Sequence, residues 1–481
     1  MGRWPKARTV GKASRYLRLM DTDKGRQVRK RTSSPEAEVK PRGPGAKAEV
    51  DVASRASEHL MFGKELMEAI CERNNLKAAL QRVRCNKGAP GADGMSVEEL
   101  PDYLKVHWQA VKARLLEGRY QPQSVRRVEI PKPGSTEKRK LGIPCVLDRM
   151  IQQAVLQVLQ RKWDRTFSDS SYGFRPGRSA HQAIAKAQSH IKAGCGYVVD
   201  IDLERFFDRV NHDRLMSRLA LRIGDKRVLG LIRAYLRAGI LESGLVSVPT
   251  EGTPQGGPLS PFLSNVVLDE LDKELESRGH RYVRYADDCN IYVSSRRAGE
   301  RVMGSVSRFI TRRLKLRVNE SKSAVDIPQN RMFLGYTFTG GKWPNRRKIA
   351  PKSVQRFKAR IRCLTRRNWS VSLEDRIGRL SGYLTGWRGY YGYCETSSVL
   401  RDLDSWIRRR LRSAVWKQWK VYRKRKRELI KLGISELLAH TTAWSAKGPW
   451  RSSHTPGVCV ALNKAYFAAL GLPELAPCRS I

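Results

Sequence analysis

Tyr285-Ala286-Asp287-Asp288 stands between apolar, strand-like stretches, with RYV ahead of it and CNIYV behind it. Two adjacent aspartates in such a place are costly to bury unless a cation compensates them. A tight turn between two strands pushes both carboxylates toward one spot, and their hard oxygens suit Mg²⁺. Taken alone, a solvated Asp-Asp turn is the commoner fate of such a pair. A second acidic strand changes the weighing. GYVVDIDLERFF carries Asp200 and Asp202, which share a face because strand side chains repeat every two residues. Facing alone does not separate the two. Either one, with Asp287 and Asp288, makes a three-carboxylate site for two Mg²⁺ ions about 4 Å apart. Such a pair of ions lowers the pKa of an attacking 3′-hydroxyl and holds a leaving pyrophosphate.

The rest of the chain says what such a site would act on. Its 481 residues hold 93 Lys and Arg against 46 Asp and Glu, a formal charge of +47. So large an excess repels itself in a compact state unless a polyanion neutralises it, and a nucleic acid is the natural partner. Composition alone fits a ribosomal protein as well, so it narrows the partner and leaves the chemistry open. The nine cysteines form no C-x-x-C pair and suit neither a disulfide framework nor a zinc site. A reduced, cytoplasmic protein is expected. No apolar run approaches the roughly 20 residues of a membrane span, and the basic N-terminus lacks the apolar core of a signal peptide.

The elements that must position these residues follow from periodicity. Residues 1–55 are basic, rich in Pro, Gly and Ser, and read as a flexible arm. Helical spacing begins near Ser57 and runs to Val83, then again over 104–118 and 146–163. VRRVEIPKPGSTEKRKLGIP reads as a hairpin around a Pro-Gly-Ser turn loaded with cations. GYVVDIDLERFF is a buried strand, LSNVVLDELDKELESR a helix, RYVRYADDCNIYV a strand–turn–strand, and 299–315 a helix. From 351 to 430 apolar and aromatic residues recur at helical spacing among many Arg and Lys, a helical bundle with a basic face. The tail 441–481 reads as a loop and one short helix.

Eight segments, in this order, resemble the intron-encoded reverse transcriptases (maturases) of bacterial group II introns. They are GAPGADG at 88–94, IPKPGSTEKRKLGIP at 130–144, SYGFRPGRSAHQAI at 171–184, DIDLERFFDRVNH at 200–212, GTPQGGPLSPFLSNVVLDELD at 252–272, RYADD at 284–288, NESKS at 319–323 and FLGYTF at 333–338. The resemblance covers about 56–475 and implies an α+β right-hand polymerase. Fingers and palm would span 56–345, an α-helical thumb or maturase bundle 346–435, and a C-terminal nucleic-acid-binding segment 436–481. It also implies RNA-directed DNA polymerase activity with two Mg²⁺ ions.

Carried over residue by residue, the family's first metal-binding aspartate precedes the Phe-Phe pair by four and five positions. That selects Asp202, with a backbone carbonyl from Leu203, beside Asp287 and Asp288. Phe207 falls where the family places a ring beneath the deoxyribose, excluding a 2′-hydroxyl. Lys132 and Arg139 match fingers residues that close on the triphosphate, although one extra residue in this loop leaves Lys138 and Lys140 open. Gln255 resembles the residue beside the incoming nucleotide. Arg175, Arg178 and Lys322 match template or primer contacts, a structural role being an equal reading for Arg175 and Arg178. Arg408, Arg409, Arg410 and Arg412, alternating with apolar anchors such as Trp406, match the RNA-binding thumb. The Cys-pair and His spacing of the HNH endonuclease carried by many relatives is missing.

The partners implied are a group II intron RNA, an RNA template and a DNA primer or target, with a homodimer as a further expected assembly and the nucleoid as its place on DNA. Two other readings compete. One is a splicing factor with a vestigial polymerase site, against which the intact YADD and Asp202 argue. The other is a domesticated polymerase used in DNA repair or phage defence, without an intron.

Overall fold

The computed structural model describes residues 61–131, 138–242, 245–247, 251–252 and 256–476. The expected N-terminal arm, Lys132 and Gln255 lie outside the described residues. The chain divides into two compact units between residues 326 and 327.

In the first unit, Val146–Trp163 is the central helix of the N-terminal half, with Met150, Ile151, Ala154, Val155 and Leu159 all buried. Helix Arg73–Asn86 packs along it. The helix expected over 57–83 is broken into Leu66–Ile70 and Arg73–Asn86, with Glu72 in an extended conformation between them. The cationic hairpin forms as expected, from β1 (Val125–Pro131) and β2 (Lys138–Ile143). Two further strands, β4 (Ile240–Glu242) and β5 (Leu245–Ser247), extend it to a sheet in the order β2-β1-β4-β5, with β4 parallel to β1.

The second sheet is antiparallel throughout. It is built from β3 (Tyr197–Ile201), β6 (Arg281–Tyr285), β7 (Asp288–Val293) and β8 (Ala324–Asp326), in the order β6-β7-β3-β8. β3 therefore lies between β7 and β8, which is why VVDI is so apolar. Helices Ala180–Lys192, Ser260–Ser277 and Arg296–Phe309 pack against this sheet. Gly299 lets the last of them approach closely, since a Cβ there would sit 2.5 Å from Val325 Cγ1.

The second unit carries a two-stranded ribbon, β9 (Tyr336–Phe338) with β10 (Arg347–Ile349), and helices Pro351–Leu364, Leu373–Tyr391, Ser397–Gln418, Tyr422–Lys431 and Glu436–Trp444. The boundary falls earlier than the expected 345/346 because FLGYTF belongs to this ribbon. Tyr390 Oη donates to Leu334 O at 2.7 Å and Tyr336 Oη to Tyr390 O at 2.5 Å, tying the ribbon to the helix that ends in RGYY. The tail holds three short helices rather than one, 449–452, 456–461 and 464–469. It is no separate segment: Val458, Leu462, Phe467 and Leu475 share one apolar cluster with Phe357, Leu380 and Leu411. The Asp404 carboxylate accepts the N–H groups of Leu475 at 3.0 Å and Ala476 at 3.0 Å.

Beneath the β1–β2 hairpin, Asp148 accepts a hydrogen bond from Tyr120 Oη at 2.9 Å and from the Gln123 N–H at 3.1 Å. Burial pushes its carboxyl up to about 6, these hydrogen bonds pulling the other way. A carboxyl whose folded pKa lies above its unfolded value favours folding while it is protonated. That contribution is complete below about pH 4 and lost as pH rises through about 6. Asp148→Asn should flatten the decline of the urea midpoint across that window; a profile parallel to the natural protein's would assign the slope to other groups.

Candidate active site

The β3–β7 register sets Asp200 opposite Asn290 and Ile201 opposite Cys289, so one step further Asp202 faces Asp288. The two aspartates that share a face are thereby separated. Asp200 lies within the ladder, where the Asn290 amide nitrogen reaches its Oδ1 at 3.0 Å once that amide is oriented to satisfy both groups. Asp202 lies just beyond the end of β3, where the chain leaves the sheet.

Asp202 is held by its own backbone. Its N–H donates to Ser323 Oγ at 3.0 Å, and its carbonyl accepts the Asn319 N–H at 2.8 Å. Both partners come from the NESKS segment. Leu203 pairs with Val318 in the non-hydrogen-bonded manner, so its own carbonyl is not used in that pairing. Lys322, expected at the primer, has its Nζ 3.4 Å from Asp202 Oδ2.

Asp287 occupies the tight turn joining β6 to β7, after Ala286 at φ +57°. The turn is built onto a buried ion pair. Arg284 and Asp272 are both 0% exposed, with Arg284 Nε donating to Asp272 Oδ1 at 2.7 Å and Nη2 to Oδ2 at 2.5 Å. Arg284 Nη1 donates to Ala286 O at 2.9 Å and to Asn265 Oδ1 at 3.0 Å, and Asn265 Nδ2 donates to Gly173 O at 2.9 Å. Gly173 lies so close beneath the turn that a Cβ there would sit 2.2 Å from Ala286 N. The glycine of SYGFRPG is needed for that approach. Arg284, Asp272 and Asn265 were not singled out from the sequence. The available signals were an arginine inside an apolar strand two residues before the turn, and an amide and a carboxylate seven residues apart on one apolar helix face.

Burial raises the Asp287 carboxyl above its usual range; Asp202 adds to the rise, while Arg139 and Arg284 oppose it. Burial, then the charges of Asp287, Asp200 and Asp202, push the Asp288 carboxyl up to about 7. Asp288 is nonetheless exposed at the surface, so the crowding of like charges is the part of that rise that persists in water. Such crowding is relieved by a cation, and an all-oxygen donor set suits a hard divalent ion. The side chains are not yet gathered around one point: among the described residues no three acidic, His or Cys groups form a ready ligand cluster. Asp202, Asp287, Asp288 and the Leu203 carbonyl fit such an ion in kind and in neighbourhood.

Arg139 is the hairpin cation whose charge reaches Asp287. Lys138 instead pairs with Glu129 at 2.7 Å. Phe207 is half-buried, its ring 5.3 Å from that of Phe206 in an edge-to-face contact, and Arg205 at φ +47° turns the chain into this pair. The Gly256-Gly257 step has a steric reason in the protein itself: added Cβ atoms would sit 2.2 Å from Gly142 O and 2.5 Å from Gln152 Oε1.

Two expected nucleic-acid contacts are corrected. Arg175 is 3% exposed, pairs with Asp164 at 2.9 Å and donates to the carbonyls of Asp164, Ser168 and Ser171, so it braces the loop rather than meeting a ligand. Arg412 is 9% exposed and lies on the buried side of its helix. Arg178 keeps a partly exposed guanidinium, paired with Asp169 at 2.5 Å. Arg408, Arg409 and Arg410 are half-exposed.

Residues 130–338 match the family described as reverse transcriptase (RNA-dependent DNA polymerase), and residues 354–433 match the group II intron maturase-specific domain. The protein YkfC of Escherichia coli (strain K12) is 33% identical over 315 residues, covering 57% of this chain and 82% of YkfC. The chain belongs to the group II intron type of reverse transcriptase. The group II intron-encoded protein LtrA of Lactococcus lactis subsp. cremoris is 38% identical over 202 residues, 40% of this chain but only 32% of LtrA. Among solved structures, a chain of a partial Cas6-RT-Cas1–Cas2 complex matches at 27% identity over 51% of this chain and 42% of that chain. Its TM-score of 0.34 is too low to bear on fold or partners. Reverse transcriptase domains use divalent metal ions, and the maturase-specific domain implies binding of intron RNA. Among the described residues, no helix of this reverse transcriptase is long and apolar enough to cross a membrane.

Removing one member of a buried ion pair costs about 3–5 kcal/mol, because the other is left charged and unpaired. Arg284→Met should lower unfolding stability by about that much and abolish primer extension. The double variant Arg284→Met/Asp272→Leu should regain most of the stability without the extension, since nothing then holds the Ala286 carbonyl. Recovery of both together would reduce the pair to packing alone.

Proposed function

We propose that this reverse transcriptase copies RNA into DNA at Asp202, Asp287 and Asp288, and that its helical unit binds the intron RNA and assists its splicing and retrohoming. The observation that carries the first part is that three carboxylates lie at the neighbouring ends of β3 and the β6–β7 turn, with the charge of Arg139 acting on Asp287. Two Mg²⁺ ions held there would activate the primer 3′-hydroxyl and neutralise the departing pyrophosphate. The chain's own residues do the rest. Arg284 and Asn265 keep the Asp287 turn in place. The NESKS segment fixes Asp202, with Lys322 balancing its charge. Arg139, with Lys132 and Gln255, takes the triphosphate, charge-assisted contacts that strengthen as the leaving group departs. Phe207 lies beneath the sugar.

The helical unit supplies a half-exposed row of cations, Arg408, Arg409 and Arg410, for RNA read by shape and phosphate. Template, primer and target DNA are the other nucleic-acid partners.

Asp202→Ala, Asp287→Ala and Asp288→Ala should each abolish primer extension while RNA affinity stays within about twofold, because the cationic surface carries affinity. Asp200→Ala should be milder, and an inactive Asp200→Ala beside an active Asp202→Ala would reverse the assignment on that strand. Asp287→Asn should still promote lariat formation by the RNA encoded around the gene. Replacing Arg408, Arg409 and Arg410 together, leaving the buried Arg412, should harm splicing more than extension on a short generic template. Failure of Asp287→Asn to support splicing at normal RNA affinity would mean that the two activities share a site. Absence of any surrounding intron would point to the domesticated polymerase.

Phe207→Val removes ring volume under the sugar without adding an attraction. Incorporation of rNTPs relative to dNTPs should rise in a competition extension assay. Unchanged sugar discrimination would return Phe207 to the apolar core, against which it already packs.

A further inference from the structure

The second unit holds a small recess of about 250 Å³ lined by Arg362, Arg367, Trp406, Arg410, Ser413 and Trp450. A wider, open recess of about 720 Å³ adjoins it, shares Arg367 and Arg410 with it, and continues past Arg366 and Trp369. Indoles and guanidiniums alternate along both. The Arg409 guanidinium lies 4.2 Å from the Trp450 ring centre, Arg410 lies 5.4 Å and Arg362 5.7 Å from that of Trp406, and Arg379 lies 4.8 Å from that of Trp369.

Two independent features indicate that something else completes this recess. Ser413 is 1% exposed, yet its hydroxyl has no hydrogen-bond partner among the described residues. Buried hydroxyls are nearly always paired, so an orphan lining a recess points to a ligand with a polar edge. The charges acting on Arg410 are also of its own sign: burial, then Arg362 and Arg367, hold its guanidinium below its usual range. Three crowded cations beside an opening call for an anion.

The combination discriminates among ligands. An acidic peptide would neutralise the arginines but would leave three indoles without purpose. A duplex keeps its bases stacked on one another and has none to insert. An unpaired nucleotide offers a flat ring for an indole, a polar edge for a hydroxyl and phosphates on either side, the way single strands are held on aromatic platforms between cations.

We propose that the small recess receives one unpaired nucleobase of a single strand, stacked on Trp450 with its polar edge toward Ser413. The flanking phosphates rest on Arg362, Arg367 and Arg410, and the strand runs on through the wider recess past Trp369. This deepens the RNA-binding part of the proposed function and rests on it for the class of ligand; the polymerase site has no role in it.

The test uses the full chain and an eight-nucleotide single-stranded RNA with a blocked 3′ end, titrated by fluorescence anisotropy. A set of otherwise identical probes carries one abasic position, moved along the strand. One abasic position should weaken binding about tenfold, the scale of a lost base–aromatic stack. Trp450→Ala should weaken the intact probe by a similar factor and that abasic probe no further. Trp450 is 36% exposed, so its loss leaves the fold intact, which circular dichroism checks. Trp450→Phe, which keeps a ring, should bind nearly as the natural protein does. Losses that simply multiply on every probe, or binding indifferent to every abasic position, would overturn the proposal and leave a cationic surface only. Primer extension is measured separately, so a chain that holds the probe but fails to extend refutes the polymerase reading and leaves the recess standing.

Discussion

Arg284 and Asp272 form a charge pair with no access to water, at the junction of a strand, a helix and the turn that carries Asp287. A pair in that position is not there for stability, since apolar residues of the same volume usually do as well or better. What apolar residues lack is direction. A guanidinium has five donors in a fixed plane, and here they go to a carboxylate on the helix behind the sheet, to the Asn265 amide and to the Ala286 carbonyl. The strain of a non-glycine residue at positive φ, Ala286, is thus held by a buried guanidinium bonded to its carbonyl. Ser170 and Tyr172 then bond to the Arg284 backbone, at 2.9 Å each, so the Gly173 loop is registered against the same strand. Three segments far apart in the chain meet at one side chain.

Much of this was legible in the residues. Helix 146–163, the cationic hairpin and the strand–turn–strand around Asp287 follow from periodicity and turn chemistry. The choice of Asp202 over Asp200 needed more. The two-residue repeat places both on one face, and only the strand's end at Ile201 and its pairing with β7 distinguish them. Family spacing favours Asp202 on separate grounds.

The arginines were read less well, for a physical reason. In a chain with 93 basic residues, an arginine within a motif is as apt to brace a loop as to meet phosphate. Arg175 does the former: its guanidinium bonds the Asp164 carboxylate and the carbonyls of Ser168 and Ser171. Arg412 lies one position after the fully buried Leu411, on the buried arc of the helix. Local spacing cannot reveal either fact, since both depend on what packs above the segment. The ribbon at 336–349 was misassigned for a similar reason. FLGYTF falls within the span expected for fingers and palm, and only its bonds to Tyr390 near the end of helix Leu373–Tyr391 place it with the second unit.

The bond from Asp404 to the backbone of Leu475 and Ala476 has a consequence for how the chain is made. Leu475 is part of the apolar cluster of the second unit, and the N–H groups that neutralise the buried carboxylate come from the same tail. During synthesis the helices from 351 to 431 emerge with that cluster open and that carboxylate unpaired. The first unit, by contrast, draws its core from residues already translated. The polymerase half can therefore be structured while the ribosome is still adding the tail. The second unit completes its core only after residue 476 has left the exit tunnel, so the order of translation sets the order in which the two cores can close.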